Sequence, residues 1–157
     1  MARLTHLDAE GKARMVDVGG KAPSLRTAAA RGRVRVGRQV LGLLRRQGLP
    51  KGDLFATAQI AGIQAAKRTH ELIPLCHPLR ITQVEVKVRV RGADAIEVTA
   101  EVRAEDRTGV EMEALTAAAV ACLTVYDMCK AVDKGIVIEE ICLLKKTGGK
   151  GGTYERP

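Results

Sequence analysis

Two runs of strict alternation, Val84-Glu85-Val86-Lys87-Val88-Arg89-Val90-Arg91 and Ile96-Glu97-Val98-Thr99-Ala100-Glu101-Val102-Arg103-Ala104, flank Gly92-Ala93-Asp94. Apolar residues at every second position put one face of a strand in a core and the other in water, and a short turn containing glycine folds the pair back on itself. The chain is thereby committed to an antiparallel hairpin with one buried face. The other elements must cover that face.

Upstream, Val34 and Val36 alternate with Arg33 and Arg35 in a short strand pattern. In Gln39–Gln47, Val40, Leu43, Leu44 and Gln47 trace a helical face that Gly48 and Pro50 end. Asp53 stands where an N-cap belongs, ahead of an Ala-rich helix over residues 54–68 whose small side chains permit close packing. Downstream of the hairpin a long helix is expected from about Val110 to Ala131, with Met112, Leu115, Ala119, Cys122, Tyr126 and Cys129 on its apolar face. A last strand follows over Ile136–Leu144. The order β, α, α, β, β, α, β predicts an α+β, ferredoxin-like fold, an antiparallel sheet with helices packed on one face. At 157 residues this is one domain, 1–157. It carries an irregular N-terminal arm, 1–30, and a Gly/Lys-rich tail, 145–157, expected to be flexible until something binds it. A sheet with helices on one side only leaves a face for another subunit to cover.

Charge narrows the partners. Lys and Arg number 26 against 18 Asp and Glu, a formal +8, which favours an anionic partner. With one Phe, two Tyr and no Trp, the stacking platforms of single-strand binders are missing, so a small phosphorylated ligand fits better than RNA. Cys76, Cys122, Cys129 and Cys142 form no C-x-x-C pair, and the only histidines are His6, His70 and His77. Reduced thiols and no protein-bound metal are the expectation. No apolar stretch reads as a membrane span and no signal peptide is visible, so a cytoplasmic protein is expected.

Three polar clusters interrupt the apolar pattern. The first, Lys67-Arg68-Thr69-His70-Glu71-Leu72-Ile73-Pro74-Leu75-Cys76-His77-Pro78-Leu79, brings a thiol and an imidazole between prolines. Neighbouring residues of an extended segment point to opposite sides, so Cys76 and His77 do not suit a nucleophile and its base. The segment reads as a ligand-pocket wall, or as a rigid Pro-bounded linker. In the second, Thr108-Gly109-Val110-Glu111-Met112-Glu113-Ala114-Leu115, acids at a helix start answer the macrodipole and Thr108 can cap. Met112 between the two glutamates would also turn one of them toward the core, where a carboxylate needs a partner. In the third, Asp127 and Lys130 are an i,i+3 pair. They are either a surface ion pair or, near phosphate, a lysine acid or base with its pKa lowered by other cations and a carboxylate that orients it. Lys51-Gly52-Asp53 reads either as a turn and N-cap or as a carrier of chemistry.

These clusters, with Met15-Val16-Asp17-Val18, Lys21, Arg26 and Ala61-Gly62-Ile63-Gln64-Ala65-Ala66-Lys67, resemble the MoaC family from about Leu4 to Gly152. Leu72–Leu79 and Thr108–Leu115 are its most specific runs. One departure is Gly151, where the family has serine after Gly-Gly-Lys. The resemblance implies a lyase of molybdenum cofactor biosynthesis. Its substrate is (8S)-3',8-cyclo-7,8-dihydroguanosine 5'-triphosphate, the cyclised GTP made by a radical-SAM partner, and its products are cyclic pyranopterin monophosphate and pyrophosphate. It implies a homohexamer, a trimer of dimers, with active sites at subunit interfaces. By the same resemblance Asp127 is catalytic with Lys51 and Lys130 as acid and base. Leu75, Cys76, His77, Met112 and Glu113 bind substrate, and Glu111, Lys67, Lys21, Arg26 and Lys146 complete the pocket. No cofactor is tightly bound, and Mg2+ accompanies the triphosphate. Neither nucleic acid nor membrane is an expected partner. A basic RNA-binding module and a non-catalytic nucleotide sensor are the rival readings.

Overall fold

The computed structural model describes residues 7–8, 10–46 and 49–157. In chain order the elements are β1 (Ser24–Arg35), α1 (Gly37–Arg46), α2 (Leu54–Lys67), α3 (Thr69–Leu72), β2 (Ile81–Arg91), β3 (Ala95–Asp106), α4 (Glu111–Cys129), β4 (Val137–Thr147) and β5 (Tyr154–Glu155). The sheet order is β2-β3-β1-β4-β5, and every neighbouring pair is antiparallel. This is the expected ferredoxin-like arrangement with α2 and α4 on one face, extended by α1, the one-turn α3 and the short β5. His6, Gln47 and Gly48 lie outside the described residues.

The hairpin forms as its alternation requires, with Val86 paired to Ala100 and Val88 to Val98. Burial is uneven, however. Ile96, Val98, Ala100, Val102 and Ala104 are fully buried, whereas on β2 only Val86 is, because β2 is the sheet's edge. The register that pairs β1 with both β3 and β4 makes it a central strand. It starts at Ser24 and is 12 residues long, so residues 24–30 are not part of an irregular arm. Gly32 shows why this strand is poor in bulky residues. A Cβ there would run into Cys122 Sγ, so the backbone of β1 lies directly beneath α4. Gly62 plays the same part between helices, since a Cβ there would lie 3.0 Å from the Ala117 carbonyl.

Asp53 caps α2 as expected, its Oδ1 accepting from Ala56 N at 3.0 Å. On α1 the buried pair is Val40 and Leu41; Leu43 and Leu44 are half-buried. On α4 the expected face is displaced. Ala114, Ala117, Ala118, Ala121, Cys122 and Val125 are buried, while Met112, Leu115, Ala119 and Tyr126 are half-buried flanks. The N-cap position of α4 is Val110 and no side chain caps it, so Thr108 does not have the expected role. By length and apolarity α4 would suffice to cross a bilayer, which the sequence reading had excluded. Its flanks are covered by α2, β1, β3 and β4, as those of a core helix are.

The tail is ordered where flexibility was expected. Strand β4 continues through Lys145 and Lys146 to Thr147, and β5 returns to pair Tyr154 with Lys146 and Glu155 with Lys145. On the face away from the helices Arg31 pairs with Glu140 at 3.0 Å, and Arg33 and Arg35 share Glu139 at 3.1 and 2.8 Å. Glu140 stands opposite Arg33 in the regular register, and the shift between Arg33 and Val34 leaves Glu139 as the extra residue that meets Arg33 and Arg35. All four cysteines are free. Cys122 and Cys129 belong to the core, and Cys142 is buried beside Glu140, to which its Sγ donates at 3.0 Å.

Candidate functional site

After α2 the Thr69 hydroxyl donates to the carbonyls of Ala65 and Ala66, which turns the chain into α3, and Cys76 N donates to Ile73 O at 3.1 Å. The Pro-bounded segment is thereby laid across the N-terminus of α4. Leu75, Cys76 and His77 face Glu111, Met112 and Glu113 across a cavity of about 400 Å³. Lys21 from the arm lines it too, so this segment is a pocket wall rather than a mere linker.

Electrostatics separate the two glutamates. Glu113 is 3% exposed, and its burial, with Glu111 nearby, pushes its pKa up to about 7 although its own backbone N–H favours the anion. This is the core-turned carboxylate that the glutamates' spacing around Met112 suggested. Glu111 folds back over Gly109, where a Cβ would meet its carboxyl group and turn it aside, and its Oε1 lies 3.8 Å from Lys146 Nζ. Burial raises the Cys76 thiol above its ordinary value and Glu113 adds to this, which makes it a poor nucleophile.

Arg26 does not line this cavity. Its Nε donates to the Asp106 carbonyl and its Nη2 to the Arg107 carbonyl, both at 3.3 Å, and it borders a second cavity that also includes Lys21. Lys67 is exposed at the end of α2 and lines neither cavity. Val16, Val18, Thr108 and Gly109 do line the first one and were given no ligand-binding role from sequence. Their signal was present, because the first two belong to Met15–Val18 and the others open the α4 cluster.

The three proposed catalytic residues meet elsewhere. Lys51, on the turn before α2, donates from Nζ to Asp127 Oδ2 at 2.7 Å and to the Asp127 carbonyl at 3.0 Å. Lys130 Nζ lies 2.7 Å from Asp127 Oδ1. Asp127 is thus clasped by two ammonium groups. The hydrogen bond from Lys130, then that from Lys51, lowers its pKa to about 2. Reciprocally, Asp127 raises the pKa of Lys130. The expectation of a lysine depressed by neighbouring cations is therefore wrong for Lys130, because the nearest charge is a carboxylate and the group is open to solvent.

This triad is not beside the cavity. Lys51 against Asp127 and Gly62 against Ala117 set α2 and α4 antiparallel. Glu113 and Asp127 are 14 residues apart on the single helix α4, roughly 21 Å at 1.5 Å per residue. One chain therefore brings most of the sequence-predicted residues together as two groups at opposite ends of one helix, with Lys67 in neither and Arg26 at the second cavity. One group is a walled pocket without the lysine pair and the other is a lysine pair without walls.

Comparison with known proteins joins these observations to a family. The model of the MoaC family matches residues 15–149. Among similar relatives, the cyclic pyranopterin monophosphate synthase of Streptomyces coelicolor is 60% identical over 154 residues, covering 98% of this chain and 90% of the relative. The enzyme of the same name from Streptomyces avermitilis is 59% identical over the same share of each. The matched stretch contains both the cavity segments and the Lys51–Asp127–Lys130 triad, and this chain belongs to the MoaC family.

Proposed function

We propose that the protein is the enzyme for which these relatives are named, a phosphorus–oxygen lyase of molybdenum cofactor biosynthesis. It converts the cyclised GTP, (8S)-3',8-cyclo-7,8-dihydroguanosine 5'-triphosphate, to cyclic pyranopterin monophosphate with release of pyrophosphate. The observation that carries the reading is the pairing, on one helix, of an acid-walled pocket suited to a donor-rich base with a lysine–carboxylate–lysine triad suited to proton transfer. The rearrangement must take protons from one part of the substrate and return them to another, which needs two groups in different protonation states.

Asp127 orients the two lysines. Its hold on Lys130 keeps that side chain an ammonium, which suits Lys130 to the role of proton donor, with Lys51 on the other carboxylate oxygen as its counterpart. Leu75, Cys76, His77, Met112 and Glu113 hold the base portion. Lys21, Arg26, Lys67 and Lys146 supply positive charge for the triphosphate, where fixed cations stabilise charge shifting onto the departing pyrophosphate. A Mg2+ carried on the triphosphate enters as part of the substrate.

The separation of roughly 21 Å between the two groups supports an assembled site, in which the triad of one copy meets the pocket of another. A homohexamer built as a trimer of dimers, acting in the cytoplasm, is the arrangement proposed. The test is incubation of purified protein with the cyclised substrate, following pyrophosphate and, after oxidation, pterin fluorescence. Both signals are expected, with Lys51→Ala losing them by about 100-fold or more. Tight substrate binding with neither signal would replace the enzyme by a nucleotide sensor.

A further inference from the structure

We infer that Asp106 is a positioning residue of the pocket, a clasp whose carboxylate joins the Pro-bounded wall to the turn that opens α4 and so fixes how far apart the two sides of the cavity stand. The inference rests on the reading of that cavity as the seat of the substrate. The ladder between β2 and β3 ends with Ile81 opposite Ala104. Past that point one strand runs back toward Leu75, Cys76 and His77 and the other runs on toward Thr108 and Gly109, and these are the two sides of the cavity. Asp106 spans them with its side chain. Its Oδ2 accepts from Arg80 N at 2.9 Å and its Oδ1 from Arg107 N at 2.8 Å. One carboxylate therefore holds two stretches of chain that lie 26 residues apart in sequence.

The clasp has a fixed base. Asp106 stands opposite Ser24 in the register with the central strand β1, and its carbonyl accepts from Arg26 Nε at 3.3 Å. Burial alone would raise the pKa of this half-buried carboxyl, yet the N–H groups of Arg80 and Arg107, helped by the charges of the same two residues, hold it below the ordinary carboxylate range. It is an anion gripping two amides, the stronger kind of hydrogen bond, and each oxygen serves a different segment. A residue that merely closed its own turn would need only the bond to Arg107. Asp106 also borders the adjoining cavity, which His77, Pro78 and Arg80 line together with Arg107 and Thr108, so it lies between the two walls and not behind either.

Cys76 reports on the clasp without any ligand, because it is half-buried on the wall while Cys122, Cys129 and Cys142 are buried. The test is the rate at which an aromatic disulfide reagent labels each cysteine of the full chain, with the sites resolved by peptide mass. Asp106→Ala should label Cys76 about tenfold faster and leave the other three slow, since opening the wall exposes the sulfur and relieves the burial that raises its pKa. Asp106→Asn retains the side-chain volume and one acceptor oxygen, so it should lie between the two and makes the same comparison without an emptied space. Asp133→Ala removes a similar bond, to Gly135 N at 2.7 Å, outside the pocket and should label Cys76 like wild type. With the cyclised substrate, Asp106→Ala should raise KM about tenfold while kcat stays within about threefold, because the wall holds the base and the lysine–carboxylate–lysine triad is untouched. Cys76 labelled at the wild-type rate in Asp106→Ala, or all four cysteines accelerated together, overturns the inference whether or not the protein turns substrate over, and so does an unchanged KM in a protein that does. Faster labelling of Cys76 alone, in a protein that releases no pyrophosphate from the cyclised substrate, keeps the clasp and overturns the enzymatic reading instead.

Discussion

The two ends of α4 carry the same kinds of charged side chain in opposite surroundings. At the Glu111 end a carboxyl is walled in by the Pro-bounded segment and titrates near neutrality. At the Asp127 end a carboxylate stands in the open between two ammonium groups and stays ionised down to strongly acidic pH. Burial without a paired cation at Glu113 and paired cations without burial at Asp127 produce opposite shifts from similar starting values. The assembly proposed above would bring the second arrangement inside the walls of the first, a distance of roughly 21 Å that one helix holds apart within a single chain.

The sharpest way to break that comparison is to divide the ends between chains. Lys51→Ala and Glu113→Gln should each be inactive alone. Unfolded together and refolded as a mixture, they should recover about a quarter of wild-type turnover, because random pairing leaves one site in four with both halves intact. No recovery would mean that each chain uses its own two ends.

Next in size is the pH response of the walled end. Its carboxyl has a folded-state pKa of about 7 against an ordinary value of 4.5, so the folded chain holds a proton that the unfolded chain releases. Stability from this group is complete below about pH 4.5, declines as pH rises to about 7 and is then constant, a loss on the order of 3 kcal/mol. Urea titrations of wild type and Glu113→Gln at pH 5 and pH 8 should show this loss in the wild type only. Parallel curves would place Glu113 in water. Asp127 has the reverse sign, with its contribution present above about pH 4 and lost as pH falls toward 2, below the range of that experiment.

The smallest effect expected belongs to neither end. Gly32→Ala forces α4 away from β1 at its middle, and overpacking of this kind costs about 1–3 kcal/mol. Thermal melts should record the loss, and ligand binding at the pocket should fall less than tenfold if α4 tilts as a rigid body.

The hairpin, the Asp53 cap and the pocket wall at Leu75–His77 were legible because each rests on local chemistry: period-two alternation, an Asx side chain at a helix start, prolines around a polar pair. Strand β1 was half hidden, since Thr27-Ala28-Ala29-Ala30-Arg31-Gly32 has low strand propensity and is explained only by the closeness of α4. The apolar face of α4 was misplaced because that helix is apolar almost all round, and alanines, which carry little weight in a periodicity, turned out to be its contact surface. Arg107 was given no role, and the hydrogen bond that its carbonyl accepts from Arg26 comes from 81 residues away. The division of the site was available in principle. Glu113 and Asp127 on one helix already imply the separation, and only the family resemblance had assigned them to a common centre.

The small residues along α4 have one more consequence. Alanine is the commonest member of the buried cluster, and no aromatic is fully buried in it. Alanines lose no rotamer freedom on folding, but each removes little hydrocarbon from water, so a single copy gains a modest margin from its interior. In the assembly proposed above, much of the resistance to unfolding must then come from contacts between copies. Dilution and heating become partly interchangeable ways of denaturing this protein, with a melting temperature that climbs with concentration.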